Sequence, residues 1–329
     1  MKRSFNFTNK PVIIGSNSIA GPKESCGSVG EFINIKLSDD MFGEETFEKA
    51  ETKMLYTAIK ESIYNAQIKE SDIDVIIAGD LLNQIISATF ASRKFDSGYL
   101  GVYSACSSFT ESLILGSALI DGGHVNNVVC ATSSHFSSAE RQYRYPLELG
   151  CTRPPQSQWT VTGAGASVLS NYGLGPKILG ATIGRVIDFG VVDVNNMGSA
   201  MAPAACDTLI THFKDNNTGP NDYDLIVTGD LGALGSRILK DLTWEKGYDI
   251  EKQHVDCGEM IYNIKEDEYQ GGSGAGCSSI LFNSYFYKRL REKKFRKILF
   301  MATGALLSGV SAQQGESIPG IAHAVVLES

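Results

Sequence analysis

The sequence predicts an α/β protein made of two similar halves, each a βαβαβαββ unit, stacked in five layers in the order α-β-α-β-α. Three observations carry this expectation. Segments recur in order along the chain, short β-branched runs alternate with helical patterns, and each half closes on an apolar run. Pro11-Val12-Ile13-Ile14-Gly15 returns as Pro176-Lys177-Ile178-Leu179-Gly180, and Asp74-Val75-Ile76-Ile77-Ala78-Gly79-Asp80-Leu81 as Asp224-Leu225-Ile226-Val227-Thr228-Gly229-Asp230-Leu231. Cys106-Ser107-Ser108 returns as Cys277-Ser278-Ser279, and Val128-Val129-Cys130-Ala131-Thr132 as Ile298-Leu299-Phe300-Met301-Ala302-Thr303. Four pairs in the same order mark an internal duplication rather than chance spacing, with halves at 1–173 and 174–329.

Within each half the runs Val75-Ile76-Ile77 and Ile226-Val227 read as strands buried on both faces. Residues 44–66 place Phe47, Ala50, Met54 and Ala58 on one helical stripe, with acidic residues at its start. A strand is expected over 99–102. Residues 107–120 are apolar nearly all round, which predicts a buried helix ending at Gly122-Gly123. Strands alternating with helices imply right-handed crossovers and a mainly parallel sheet. The closing runs are Ala166-Ser167-Val168-Leu169 and Ala324-Val325-Val326-Leu327. The halves differ by insertions, where function tends to sit. The first has an excursion over 133–161 rich in Arg, Tyr and Pro. The second has extra residues between Asp230 and Cys277, including Trp244 and the acidic run Glu266-Asp267-Glu268, which reads as a solvated loop.

The 329 residues suffice for a core that needs no staples. With 43% hydrophobic and 20% charged residues the composition is that of a globular chain. A net charge of −8 and the lack of a basic stripe argue against nucleic acid as a partner. The seven cysteines never form Cys-x-x-Cys, which argues against a zinc site and a disulfide framework, so most should pack as small hydrophobes. No metal site and no cofactor are expected. The first residues carry charge without an apolar run behind it, so no signal peptide is read. The longest apolar-rich stretch, 298–310, is too short to span a bilayer. Any membrane contact is therefore expected at the surface or through a partner.

Cys106 stands between the expected strand and the buried helix. There the helix dipole and free N–H groups favour a thiolate, although a small residue filling a tight turn fits the same pattern. The run around Cys106 resembles the nucleophile turn of β-ketoacyl synthases and thiolases. Thr162-Gly163-Ala164-Gly165-Ala166-Ser167-Val168-Leu169 is similar to the glycine-rich strand of the third ketoacyl synthase class, with Thr162 where that class has Asp, and 304–309 to the C-terminal glycine-rich loop. The resemblance covers almost the whole chain and implies a thiolase-like fold. It also implies a catalytic His at the position held by Asp230, and an Asn or His where the chain has Gly271-Gly272-Ser273-Gly274. None of the five histidines, His124, His135, His212, His254 and His323, falls there. A carboxylate beside a developing oxyanion repels it, so acyl transfer should be badly impaired.

The runs Glu140-Arg141-Gln142-Tyr143-Arg144-Tyr145-Pro146 and Gln158-Trp159-Thr160-Val161-Thr162 resemble a stage V sporulation family of this superfamily, as do Gly79-Asp80-Leu81-Leu82-Asn83-Gln84 and Gly271-Gly272-Ser273-Gly274. This resemblance implies a spore protein that binds dipicolinic acid (pyridine-2,6-dicarboxylate), with or without calcium. It further implies a role in uptake across the inner forespore membrane with membrane-embedded partners. A flat aromatic dianion needs donors at two edges and apolar walls. The expected ligand-binding residues are Asp80, Cys106, Ser107, His135, Arg144, Asp230 and Ser273. The helix start at Cys106-Ser107 and a backbone nest at 271–276 would offer N–H groups, Arg141, Arg144 and Arg153 charge, and Tyr143 and Tyr145 stacking surfaces. Plainer readings stand beside these. Asp80 and Asp230 occupy matching positions that suit a turn role, His135 fits a satisfied histidine, and Arg141 and Arg144 fit exposed or dimer-contact residues. The alternatives in function are an acyltransferase or thioesterase using Cys106, and a purely structural subunit. A homodimer paired along the 99–102 edge is expected from the family resemblance.

Overall fold

A computed structural model of the chain describes residues 2–143, 153–263 and 269–329. Ten strands make the framework: β1 (Val12–Ala20), β2 (Val75–Gly79), β3 (Gly98–Gly101), β4 (Asn127–Ser134), β5 (Gly163–Ser170), β6 (Lys177–Thr182), β7 (Leu225–Thr228), β8 (His254–Asp256), β9 (Lys297–Ala305) and β10 (Gly320–Glu328). Their order is β3-β2-β4-β5-β1 in the first half and β8-β7-β9-β10-β6 in the second. Each first-half strand has its counterpart five strands later. The pairing repeats too: the closing strand is antiparallel to both neighbours, and the outer three strands run parallel. The duplication read from sequence is thus a duplication of topology. The two sheets run on into one another through the pair Val12–Lys177, residues of the first repeated segment.

Helices cover both faces. Helix α1 (Phe47–Asn65) packs on β1, β5 and β4, and α5 (Met197–Asn216) packs on β10, β9 and β6. Between the sheets lie α3 (Ser108–Asp121), which touches strands of both halves, and α8 (Ala275–Leu281). A π-turn, Phe282–Phe286, carries α8 into Tyr287–Arg291. The expected helix over 107–120 is therefore real and central, shifted by one residue. Its apolar girth is filled by Phe109, Phe282 and Phe300, whose rings meet at centroid distances of 4.9 to 6.3 Å. Aromatic pairs of this kind add roughly 0.5–1.5 kcal/mol each beyond simple burial.

Helix α1 starts three residues later than the acidic run suggests, because Thr46 accepts a hydrogen bond from the Lys49 N–H and caps it. It buries the expected Ala50, Met54 and Ala58, and also Glu51. The strand expected over 99–102 is β3, one residue earlier, and it forms the outer edge of the first sheet. Five cysteines are buried and Cys26 is exposed. Cys151, Arg144, Tyr145 and the Glu266-Asp267-Glu268 run lie outside the described residues.

Candidate functional site

Cys106 sits at the end of the first sheet, just before α3. The preceding Ala105 has φ of 51°, the left-handed region, a conformation costing a non-glycine residue about 1–2 kcal/mol. The turn is held by a ring of serines. Ser107 Oγ donates to the Ser104 carbonyl at 2.8 Å, and Ser108 Oγ accepts from the Ser104 N–H at 3.0 Å while donating to Ala105 O at 2.7 Å. Gly304 packs on it so closely that a Cβ there would lie 2.4 Å from the Ser104 carbonyl oxygen. The N–H groups of Ser107 and Ser108 are already bonded to the carbonyls of Ser104 and Ala105. The helix start therefore offers a ligand less than its sequence suggests.

Across from the sulfur stands Asp230, whose carboxyl accepts a hydrogen bond from the Cys106 thiol. It follows β7, as Asp80 follows β2, but the two turn in different directions. Asp80 accepts from the N–H groups of Leu82 and Ala88 at 2.7 Å each and thereby fastens the turn into helix α2 (Ile86–Ser92). Asp230 turns inward. One oxygen accepts from Thr303 Oγ1 at 2.8 Å, the other from the Gly274 N–H at 2.9 Å and from Ser273 Oγ at 3.3 Å. Burial pushes the Asp230 carboxyl up to about 6 against these stabilising bonds. The backbone nest expected to receive a ligand anion at 271–276 is occupied by the chain's own carboxylate.

The 133–161 excursion closes this centre from the side. Trp159–Thr160 pairs in parallel with Gly272–Ser273, and Gln158 Nε2 donates to the carbonyls of Asp230 and Gly272 at 2.7 and 2.8 Å. Trp159 stacks on Phe136 at 4.0 Å. Glu140, buried at the middle of helix α4 (Phe136–Tyr143), pairs with Arg153 at 3.0 Å and accepts from Thr160 at 2.8 Å. Arg141 pairs with Glu48 on α1. Neither arginine lines the cavity at Cys106, and each is paired with a carboxylate.

That cavity is small, about 30 Å³, and is bounded by Cys106, Ser273, Thr160, Met197, Leu307 and the tyrosines Tyr103 and Tyr143, among others. It has room for about one water. The two tyrosine hydroxyls meet at 3.0 Å, and that of Tyr143 also donates to the Leu81 carbonyl. Outside this pair lies a groove of about 580 Å³, with walls from Ile85, Leu306 and Val310 and polar groups from Asn83, Gln84, Gln142 and Gln313. Gln84 and Ile85 both have left-handed φ, 57° and 46°. Two consecutive strained residues at a groove wall are a common mark of functional surfaces.

Of the residues expected from sequence, the structure brings together Cys106, Asp230 and Ser273, with Ser107 directly behind. Asp80 and His135 lie elsewhere. His135 is buried, its Nε2 donating to the Asp40 carbonyl at 2.9 Å and its Nδ1 accepting from the Ser137 N–H at 3.1 Å. Burial holds it below the ordinary imidazole range. No histidine is among the described residues lining the cavity. His212 bonds to Thr182 and Tyr223, His254 to Thr228, His323 to the Gly184 N–H, and His124 is exposed. Sequence reasoning missed Thr303, although its repeat partner Thr132 ends the matched strand segment; Thr132 donates to the Ala275 carbonyl of a central helix at 2.8 Å, whereas Thr303 donates to Asp230.

The family model for stage V sporulation protein AD, SpoVAD, matches residues 1–328. The chain belongs to the SpoVAD family. It is 42% identical over 327 residues to the stage V sporulation protein AD of Bacillus subtilis strain 168, covering 99% of this chain and 97% of that one. Among solved structures it is similar to 3-oxoacyl-[acyl-carrier-protein] synthase III from Aquifex aeolicus, with a TM-score of 0.57 and 17% identity over 97% of this chain and all of that one. It is also similar to OleA from Xanthomonas campestris with cerulenin bound, with a TM-score of 0.63 and 11% identity over 99% and 98% of the two chains. Those neighbours establish the thiolase-like fold expected from the sequence. SpoVAD membership places the chain among sporulation proteins built on that scaffold.

Proposed function

We propose that this SpoVAD protein is a non-catalytic binding protein that takes up dipicolinic acid, free or as its calcium chelate, for delivery into the developing spore. The observation that carries the non-catalytic part is Asp230, hydrogen-bonded to Cys106 and filling the N–H site at Gly274. An acyl-transfer intermediate on Cys106 puts negative charge on an oxygen nearby. At a separation of ~4 Å and an effective dielectric near 20, an ionised Asp230 opposes that charge by about 4 kcal/mol, roughly a thousandfold in rate.

The groove outside Tyr103 and Tyr143 supports the ligand. Its volume lies in the range of small-molecule sites. Aromatic and aliphatic walls suit the flat ring, and side-chain amides suit carboxylate edges. The inner cavity is too small for such a ring, so on this reading the ligand sits outside Tyr103 and Tyr143, with Cys106 and Ser273 behind them. A second reading, an acyltransferase or thioesterase, is favoured by the strained turn that presents Cys106 to this cavity. Calorimetric titration with dipicolinate, with and without calcium, is expected to saturate at one ligand per chain. Tyr103→Ala and Arg144→Ala should each weaken binding at least tenfold. Heats indistinguishable from dilution under both conditions would remove the ligand from the account.

No helix among the described residues is long and apolar enough to cross a membrane. On the proposed reading the protein is peripheral at the spore inner membrane, held by membrane-embedded partners. It acts as a homodimer joined along β3, whose Leu100 is 45% exposed at an open sheet edge. Sedimentation should give about twice the monomer mass for the native chain, and Leu100→Lys should shift it to the monomer. A native chain that sediments as a monomer at high concentration would rule the dimer out.

A further inference from the structure

A second acidic centre lies beside Thr162, at the end of the excursion. Glu24 is 1% exposed. Its Oε1 is saturated, accepting from the Thr162 N–H at 2.9 Å and from the Tyr262 hydroxyl at 2.6 Å. Its Oε2 has no partner among the described residues. That oxygen and Asp40 Oδ1 border the same gap beside Gly21: a Cβ on Gly21 would lie 2.8 Å from the first and 2.7 Å from the second. Glycine is therefore what keeps the gap open. Asp40 is half-buried, giving the gap a route to solvent, and its own carbonyl is fixed by His135. The neighbouring cation, Lys23, sits over the Trp159 ring at 4.1 Å.

We propose that Glu24 and Asp40 form a site for a hard divalent cation of the calcium or magnesium class, completed by water. Two carboxylate oxygens without nitrogen or sulfur donors select such ions over transition metals. A buried carboxylate oxygen left without a partner is costly, and a cation shared with Asp40 removes that cost for Glu24. Without a cation the gap must hold a proton instead. Burial first, and the Asp40 charge in addition, push Glu24 up to about 7. The inference is independent of the dipicolinate reading and of the chemistry at Cys106.

Terbium(III) is the probe, because Tyr262 touches Glu24 directly and can sensitise its luminescence. The full-length chain should show saturable sensitised emission that excess calcium displaces. Glu24→Gln and Asp40→Asn should each weaken terbium binding at least tenfold. Glu24→Gln keeps a neutral hydrogen-bonding group, so it also separates a cation site from a simple proton-sharing pair: calcium should raise the melting temperature of the native chain but not of this variant. Asp40 is half-buried, so Asp40→Asn keeps the test decisive if Glu24→Gln fails to fold. The proposal is overturned by an absence of saturable emission in the native chain, by emission unchanged in Asp40→Asn, or by equal calcium stabilisation of native chain and Glu24→Gln.

Discussion

Replacing Asp230 by alanine should destabilise the fold by about 3 kcal/mol, although the substitution removes a carboxyl whose burial is itself unfavourable. The reason is what remains behind. The Gly274 N–H and the hydroxyls of Thr303 and Ser273 all donate to this side chain, and all belong to residues that are buried. Each buried donor left without an acceptor costs roughly 1–3 kcal/mol. The hydroxyls can turn to other acceptors, but the Gly274 amide cannot. Asp230→Asn keeps an oxygen for that amide and can donate its own N–H₂ to Thr303, so its cost should be nearer 1 kcal/mol. Urea denaturation of the two variants measures the difference. Equal stability of Asp230→Ala and the native chain would show that Asp230 does not organise this centre.

The second large effect is on the pH dependence of stability. Burial, the foremost cause in each case, raises Glu24 and Asp256 to about 7 and Asp230 to about 6. Burial also raises Glu51 and Asp80, and the charge of Asp80 pushes Glu51 further. A carboxyl with a raised native pKa favours the folded state fully below the unfolded value, near 4. That contribution is lost as pH rises through the native pKa, because the unfolded chain gives up its proton first. Buried histidines work in the opposite sense. His212 and His323 are lowered to about 4 and His254 to about 3, chiefly by burial. The unfolded chain binds those protons more tightly, so their contribution grows as pH rises toward 6.5. Between pH 4 and 6.5 the three histidines offset part of the effect of the five carboxyls. Above 6.5 the histidines are silent while Glu51, Glu24 and Asp256 continue to ionise. Stability is therefore expected to fall from about pH 5 to pH 8. Glu51→Gln should flatten that fall, since an amide still satisfies the hydroxyls of Ser133 and Ser138 at 2.9 and 3.0 Å by turning one end to each. Melting temperatures across this range, flat from pH 6 to 8 in the native chain, would contradict the burial of ionisable carboxyls as described.

Much of the fold was legible because it is repeated: β-branched strand cores and the apolar girth of the central helix are local patterns, and duplication let each half check the other. The site was legible in part. Cys106 and Asp230 stand where the family resemblance puts a nucleophile and its histidine, and both lie at the centre. Asp80 illustrates the limit. The same tripeptide holds it and Asp230 in the repeat, Gly-Asp-Leu following a β-branched run, yet one fastens a turn and the other faces a thiol. What separates them is the approach of Gly274 and Thr303, residues 44 and 73 positions away from Asp230 in the chain. No local pattern carries such partners. The same holds for Glu51, which sits on the buried stripe of α1 because Ser133 and Ser138 from β4 and α4 meet it there. Arg153 likewise has a partner that no local pattern announces, the buried Glu140 at 3.0 Å.

On the proposed reading, Asp230 and its hydrogen-bond partners fill the polar centre beside Cys106 and leave the sulfur without the surroundings that make it a catalyst. Intact-protein mass spectrometry after incubation with a series of acyl-coenzyme A thioesters tests it most directly. The account predicts an unmodified mass for the native chain at neutral pH. A stable mass increase equal to the acyl group, present in the native chain and lost in Cys106→Ser, would contradict it.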